Sequence, residues 1–314
     1  MSTPRTCCIV IAVLLSIFNG NTAVATQKGG SSEPAALKTF LEHQGFGGSP
    51  LQRRFGNHLF VTTMMNGRRT ALVIDTGCPF TLIDRDSARK IGLGIQETKS
   101  YIVGVTGTGK RVGVSKLATL AMGNCTFTNV PVQVADEAQI NLLARPHLDG
   151  LFGAHEMAKF GMIVDCTRQM IYVNPKGPSG ANAQKLAQFL GARGFTRLPM
   201  RFNPDHHLEV DAAINGHPVR LTVDTGAFAT ILSAPAASAS GASLSPRLSS
   251  GGEGIGSVHQ LALGNLVVNN AEVVVAKVEK FVGAGLLGEE YLSWNFAVID
   301  VGGMNLYLRP PDKR

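Results

Sequence analysis

An internal repeat constrains this chain more than any other feature. His58-Leu59-Phe60-Val61 returns as His207-Leu208-Glu209-Val210, and Asn66-Gly67 returns as Asn215-Gly216. Leu72-Val73-Ile74-Asp75-Thr76-Gly77 returns as Leu221-Thr222-Val223-Asp224-Thr225-Gly226, and in every case the offset is 149 residues. The same offset carries Leu37, Phe40, Leu41, Gly45 and Phe46 onto Leu186, Phe189, Leu190, Gly194 and Phe195. Further on the loops shorten, yet Gly150-Leu151-Phe152-Gly153 still answers to Gly285-Leu286-Leu287-Gly288, and Ile163-Val164-Asp165 to Val298-Ile299-Asp300. A chain that is two copies of one unit folds as two lobes of one design.

Each unit opens on a helix, because Leu37, Phe40 and Leu41 stand at i, i+3 and i+4 and Gly45 supplies the stop. This stretch is packing and not chemistry. Beyond the helix the apolar runs are short, β-branched and broken by turns, with Asn-Gly between them as a hairpin signal. Thirty-six glycines and 6% aromatic residues favour strands and tight turns over a helical bundle. The expected fold is all-β, two lobes from an internal duplication, each preceded by a short helix. Its parts are a signal peptide over 1–25, an N-terminal segment with a helix over 26–49, a first lobe over 50–174, a linker with a helix over 175–194 and a second lobe over 195–310. The linker is marked by Pro175, Gly177, Pro178 and Gly180.

Arg5, the apolar run Cys7 to Phe18, and Ala23-Val24-Ala25 have the layout of an export signal. The run is shorter than the roughly 20 residues that span a bilayer, so the expectation is cleavage and an exported protein, periplasmic or secreted, with no stable membrane insertion; a retained anchor is the alternative. Cys7 and Cys8 would leave with the signal. Cys78, Cys125 and Cys166 then allow at most one internal bridge, with the pairing open and a small buried core residue equally in keeping with each. The net charge of +7 is spread along the chain in short pairs such as Arg53-Arg54, which argues against a nucleic-acid partner.

Asp-Thr-Gly alone marks a turn; twice, at the same point of a repeat and each time after an apolar strand, it marks chemistry. Two carboxyl groups about 3 Å apart cannot both ionise cheaply, so they share a proton and one acid and one base coexist. Competing motifs fail. Gly104-Val105-Thr106-Gly107-Thr108-Gly109-Lys110 nearly spells a phosphate loop, but Arg111 stands where a metal-binding hydroxyl is needed and no helix pattern comes after it. His155-Glu156 lacks the second zinc histidine, since Lys159 holds that position, and His206-His207 has the character of surface or loop histidines. No Gly-x-Ser-x-Gly elbow sits between a strand and a helix.

On Val73-Ile74-Asp75-Thr76-Gly77, Thr222-Val223-Asp224-Thr225-Gly226-Ala227, Leu151-Phe152-Gly153 and Leu286-Leu287-Gly288, the chain resembles the retropepsin-like aspartic peptidases, including their bacterial exported single-chain relatives. The resemblance covers nearly all of residues 50–310. It implies catalytic Asp75 and Asp224, with Thr76 and Thr225 bonded across the lobes and Gly77 and Gly226 admitting close approach of backbone amides to the carboxylates. It also implies flap hairpins about 30 residues beyond each aspartate, at Gly104, Val105, Thr106 and Gly107 and at Gly252, Gly254, Ile255 and Gly256. Cys78 departs from the family, which has Ala there. A buried, inert thiol is the expectation.

The expected function is an aspartic endopeptidase acting on a polypeptide substrate laid as a strand across the lobe interface, without metal or cofactor, and compatible with a monomer. The alternative is an exported peptide-binding or scaffold protein of the same fold that has lost turnover.

Overall fold

A computed structural model describes residues 5–7, 33–54, 57–103, 109–136, 148–250, 253–276 and 283–311. Most of it is strand. The chain runs β1 (Arg5–Cys7), α1 (Glu33–His43), β2 (Gly47–Arg54), β3 (His58–Met65), β4 (Arg68–Asp75), β5 (Leu82–Asp84), α2 (Arg85–Lys90), β6 (Gln96–Val103), β7 (Gly109–Met122), β8 (Cys125–Ala135), β9 (Gly150–Gly153), α3 (Ala154–Lys159), β10 (Ile163–Asp165) and β11 (Met170–Val173). The second copy repeats the order: α4 (Gly180–Gly191), β12 (Thr196–Phe202), β13 (Leu208–Ile214), β14 (His217–Val223), β15 (Ile231–Ser233), α5 (Ala234–Ala239), β16 (Ser243–Ser250), β17 (Glu253–Leu263), β18 (Leu266–Ala276), β19 (Gly285–Leu287), α6 (Glu289–Trp294), β20 (Val298–Asp300) and β21 (Asn305–Leu308).

The Asn-Gly pairs form the expected hairpin turns. Asn66 and Gly67 have φ of 48° and 79°, and Asn215 and Gly216 have 50° and 81°, the doubly left-handed turn whose twist matches that of the flanking strands. Each turn asparagine also ties its hairpin to the next layer. Asn66 Oδ1 accepts from Thr119 N at 3.1 Å, and Asn215 Oδ1 from Gln260 N at 2.9 Å. The aspartate strands β4 and β14 are flanked by β9 and β19 in parallel register, and those by β5 and β15 in antiparallel register, so the chain leaving each aspartate returns to its own sheet. Val112–Ala121 lies within strand β7, which removes the phosphate-loop alternative.

The lobes share a sheet that sequence inspection does not reveal. Antiparallel pairing runs β2-β11-β10-β20-β21-β12, and its centre obeys a twofold relation, with Ile163 opposite Asp300, Val164 opposite Ile299 and Asp165 opposite Val298. β2 and β12 each serve two sheets. Residues 47–50 pair with β11 and 51–54 with β3, while 196–199 pair with β21 and 200–202 with β13. Helices α1 and α4 pack against this shared sheet: Leu37, Leu41, Leu186 and Leu190 are buried with Tyr172, Val298 and Tyr307, and Phe40 stacks on Phe189 at 4.1 Å. Residues 37–50 are therefore part of the packed fold. Of residues 1–25, the backbone of residues 5–7 is described, beside β6. No described helix is long and apolar enough to cross a membrane.

Candidate active site

β4 and β14 end at the interface between the lobes, and their last inward residues, Leu72, Ile74, Leu221 and Val223, are fully buried. Rigid strands thus deliver two loops to one place. Asp75 and Asp224 are 1% and 0% exposed. Thr76 Oγ1 donates to the Val223 carbonyl at 2.7 Å, and Thr225 Oγ1 donates to the Ile74 carbonyl at 2.6 Å. Each hydroxyl also accepts the opposite backbone: Thr76 N reaches Thr225 Oγ1 at 3.1 Å, and Thr225 N reaches Thr76 Oγ1 at 3.1 Å. Four bonds, paired by symmetry, lock the loops together.

The lock presses each glycine onto the other loop's carboxyl. A Cβ added to Gly77 would lie 2.3 Å from Asp224 Cγ, and one added to Gly226 would lie 2.5 Å from Asp75 Cγ, closer than any side chain permits. Within its own loop, Asp75 Oδ1 accepts from Cys78 N at 2.9 Å and Asp224 Oδ1 from Gly226 N at 2.8 Å. Burial first, and then the neighbouring charge of Asp75, hold the Asp224 carboxyl well above the ordinary carboxylate range. One of the two is thereby favoured as the protonated acid.

Behind each loop stands a threonine six residues beyond the aspartate. Thr81 Oγ1 accepts from Gly153 N and Thr230 Oγ1 from Gly288 N, both at 3.2 Å. Their backbone N–H groups donate to glutamates, Thr81 N to the buried Glu156 at 2.8 Å and Thr230 N to the half-buried Glu290 at 2.7 Å. Burial raises both glutamates, Glu290 to about 7. Arg53 on β2 crosses the interface to Glu289 of α6 at 2.9 Å, with further bonds to Ser293 and the Cys166 carbonyl. On the corresponding strand of the other lobe, Phe202 packs on His155 at 4.4 Å, in a cluster with Phe80 and His206. None of these supports was evident from sequence; of them only Thr81 and Thr230, spaced by 149, carried a visible signal.

The expected site residues divide. Asp75, Thr76, Gly77, Asp224, Thr225 and Gly226 come together. Gly104, Val105, Thr106 and Gly107 lie outside the described residues, as does Gly252; the hairpin arms β6–β7 and β16–β17 are described. Gly254 and Gly256 pair with both β16 and β18, and Ile255 pairs with β18 where the β16–β17 register shifts, so the three lie in the β17 arm of that hairpin. Two expectations are corrected. Cys78 is disulfide-bonded and not a thiol, while Cys125 and Cys166 are free and buried, so no bridge joins two of these three. His207 is fully buried rather than a surface histidine, because the turn built on Asn203 folds it beneath the loop; its neighbour His206 remains exposed.

Residues 61–155 match a family model described as "Aspartyl protease", and residues 210–294 match one described as "gag-polyprotein putative aspartyl protease". No curated protein sequence matches the chain. Among solved structures, Basic 7S globulin from soybean is similar over 84% of this chain and 95% of its own, at 10% identity and a TM-score of 0.53, which shows a shared fold. A retropepsin-like aspartic protease from Rickettsia conorii aligns over 41% of this chain and 89% of its own, at 16% identity and a TM-score of 0.29. With an aspartyl protease domain in each half, the chain is a two-lobed member of the retropepsin-like aspartic peptidase family.

Proposed function

We propose that the protein is an aspartic endopeptidase whose single site is made by Asp75 and Asp224 together. The observation that carries this reading is the reciprocal packing of Gly77 on the Asp224 carboxyl and Gly226 on the Asp75 carboxyl, which supports two acids acting as a pair. The ionised partner takes a proton from a water molecule, whose oxygen bonds to the peptide carbonyl carbon. The protonated partner gives its proton to the carbonyl oxygen. Collapse of the resulting diol breaks the C–N bond as a proton passes to the amine, and the pair returns to one shared proton. Thr76 and Thr225 hold the geometry before substrate arrives, so no reorganisation is needed at the moment of reaction.

The substrate of this reading is an extended polypeptide, whose backbone pairs with sheet edges while alternate side chains enter pockets. The β6–β7 and β16–β17 hairpins serve as its two flaps. The protein works outside the cytoplasm, and N-terminal sequencing of the exported form would test whether residues 1–25, which hold Cys7 and Cys8, are removed. For the chemistry, Asp75→Asn and Asp224→Asn should each lower peptide cleavage by at least about 10²-fold with the fold intact, because asparagine keeps the shape but cannot relay the proton. A transition-state mimic such as pepstatin should inhibit the parent protein. Near-parental cleavage by either variant would show the mechanism to be wrong.

A further inference from the structure

The repeat carries a residue pair that this chemistry does not use, the histidines at the start of β3 and just before β13, His58 and His207. In the second lobe the structure gives that histidine a partner in the first. The His207 side chain is fully buried, and its Nδ1 lies 3.0 Å from the carbonyl oxygen of Gly77. Gly77 lies two residues beyond Asp75 and is the glycine on which the Asp224 carboxyl rests. A carbonyl oxygen only accepts, so the hydrogen of this bond sits on Nδ1.

The ring is mounted on a rigid base. Asn203 Oδ1 accepts from His207 N and from Asp205 N, both at 2.9 Å, and Asn203 N donates to the His207 carbonyl at 2.9 Å. Asn203 Nδ2 in turn donates to Glu209 at 2.8 Å, which ties the turn to β13. The charged and titratable groups around the ring are Asp205 and His206 on its own turn, the Asp75 loop across the interface, and Asp224 of its own lobe where it rests on Gly77. Burial, with a smaller contribution from His206, keeps the imidazole below its ordinary range and thus neutral near pH 7.

We propose that His207 is a positioning residue for the opposite lobe's active-site loop: its Nδ1–H fixes the Gly77 peptide and through it the separation of Asp75 from Asp224. The kinetic part of the test rests on the peptidase reading above; the spectroscopic part does not. Long-range ¹H–¹⁵N spectra of histidine-labelled protein, with His207 assigned by its loss in His207→Asn, should show the neutral Nδ1–H tautomer. An Nε2–H tautomer overturns the proposal without any variant having to fold or cleave.

His207→Asn keeps an N–H donor at the δ position, whereas His207→Leu removes it. The leucine variant should lose about tenfold or more in kcat with KM within about twofold, and its pH profile should shift; the asparagine variant should recover most of the rate. Equal losses in the two variants, or a folded leucine variant with the parental rate and pH profile, overturn the proposal. If the parent protein cleaves no peptide, the peptidase reading fails by itself. The ¹³C-carboxyl titration of Asp75 and Asp224 then decides: a titration altered by His207→Leu supports the positioning role and an unchanged one refutes it.

Discussion

Replacing Thr76 or Thr225 by valine measures the lock between the lobes with little change of shape. Thr76→Val removes the donor to the Val223 carbonyl and the acceptor for Thr225 N; Thr225→Val removes the donor to the Ile74 carbonyl and the acceptor for Thr76 N. Each substitution strands two buried polar groups. At about 1–3 kcal/mol for each stranded group, offset by about 1 kcal/mol for burying a methyl in place of a hydroxyl, each variant should cost about 1–5 kcal/mol. The twofold relation gives both threonines the same pair of bonds, so the two costs should agree within about 1 kcal/mol. The double variant should cost less than the sum, because loops already parted by the first change have weaker bonds left to lose. Urea denaturation of the four proteins yields all these values from one assay. A cost below about 0.5 kcal/mol for one threonine beside a full cost for the other would refute the symmetric lock.

Three further outcomes can be checked. Glu290, raised to about 7 by burial from an unfolded value near 4.5, binds its proton more tightly in the folded state, so its contribution is complete below about pH 4.5 and is lost as the pH rises to about 7. Glu290→Gln should therefore match the parent in Tm at pH 4.5 and exceed it at pH 8, by at most about 3 kcal/mol of stability. Residues 50–174 expressed alone expose the β10 edge that normally pairs with β20, so sedimentation should show self-association; a stable, fully active monomer would contradict the shared sheet. Cys125 and Cys166 should resist alkylation in the native protein and react once it is unfolded, as peptide mapping would show.

What was legible from sequence is what recurs at close range. Asn66-Gly67 and Asn215-Gly216 announce hairpins because few residues accept two successive left-handed conformations, and Leu37, Phe40 and Leu41 announce a helix face because the helical period is local. Asp-Thr-Gly was legible because it came twice. The shared sheet was not, since the double pairing of β2 and β12 depends on partners more than 100 residues away and each half of either strand has an ordinary strand pattern. His207 was misjudged for a similar reason: its burial comes from a turn set by Asn203 and from a loop of the other lobe.

Divergence between the copies explains the remaining gaps. Arg53 and Phe202 occupy equivalent positions, 149 residues apart, and both reach the helix after the apolar-Gly segment of the opposite lobe. One arrives as a guanidinium on Glu289, the other as a ring on His155. The carboxylates that hold Thr81 and Thr230 come from helix positions that are not equivalent either, since Gly153 aligns with Gly288 and so Glu156 aligns with Tyr291. A symmetric dimer of one lobe would be obliged to repeat each such contact twice. A single chain is free of that condition away from the site, yet at the Asp-Thr-Gly loops it keeps both threonines, both glycines and both aspartates, with matching distances. Symmetry is kept at the Asp-Thr-Gly loops and relaxed in the contacts that surround them. Substitutions exchanging the Arg53 and Phe202 supports between lobes, partners included, should therefore lower Tm far less than any change at the loops themselves.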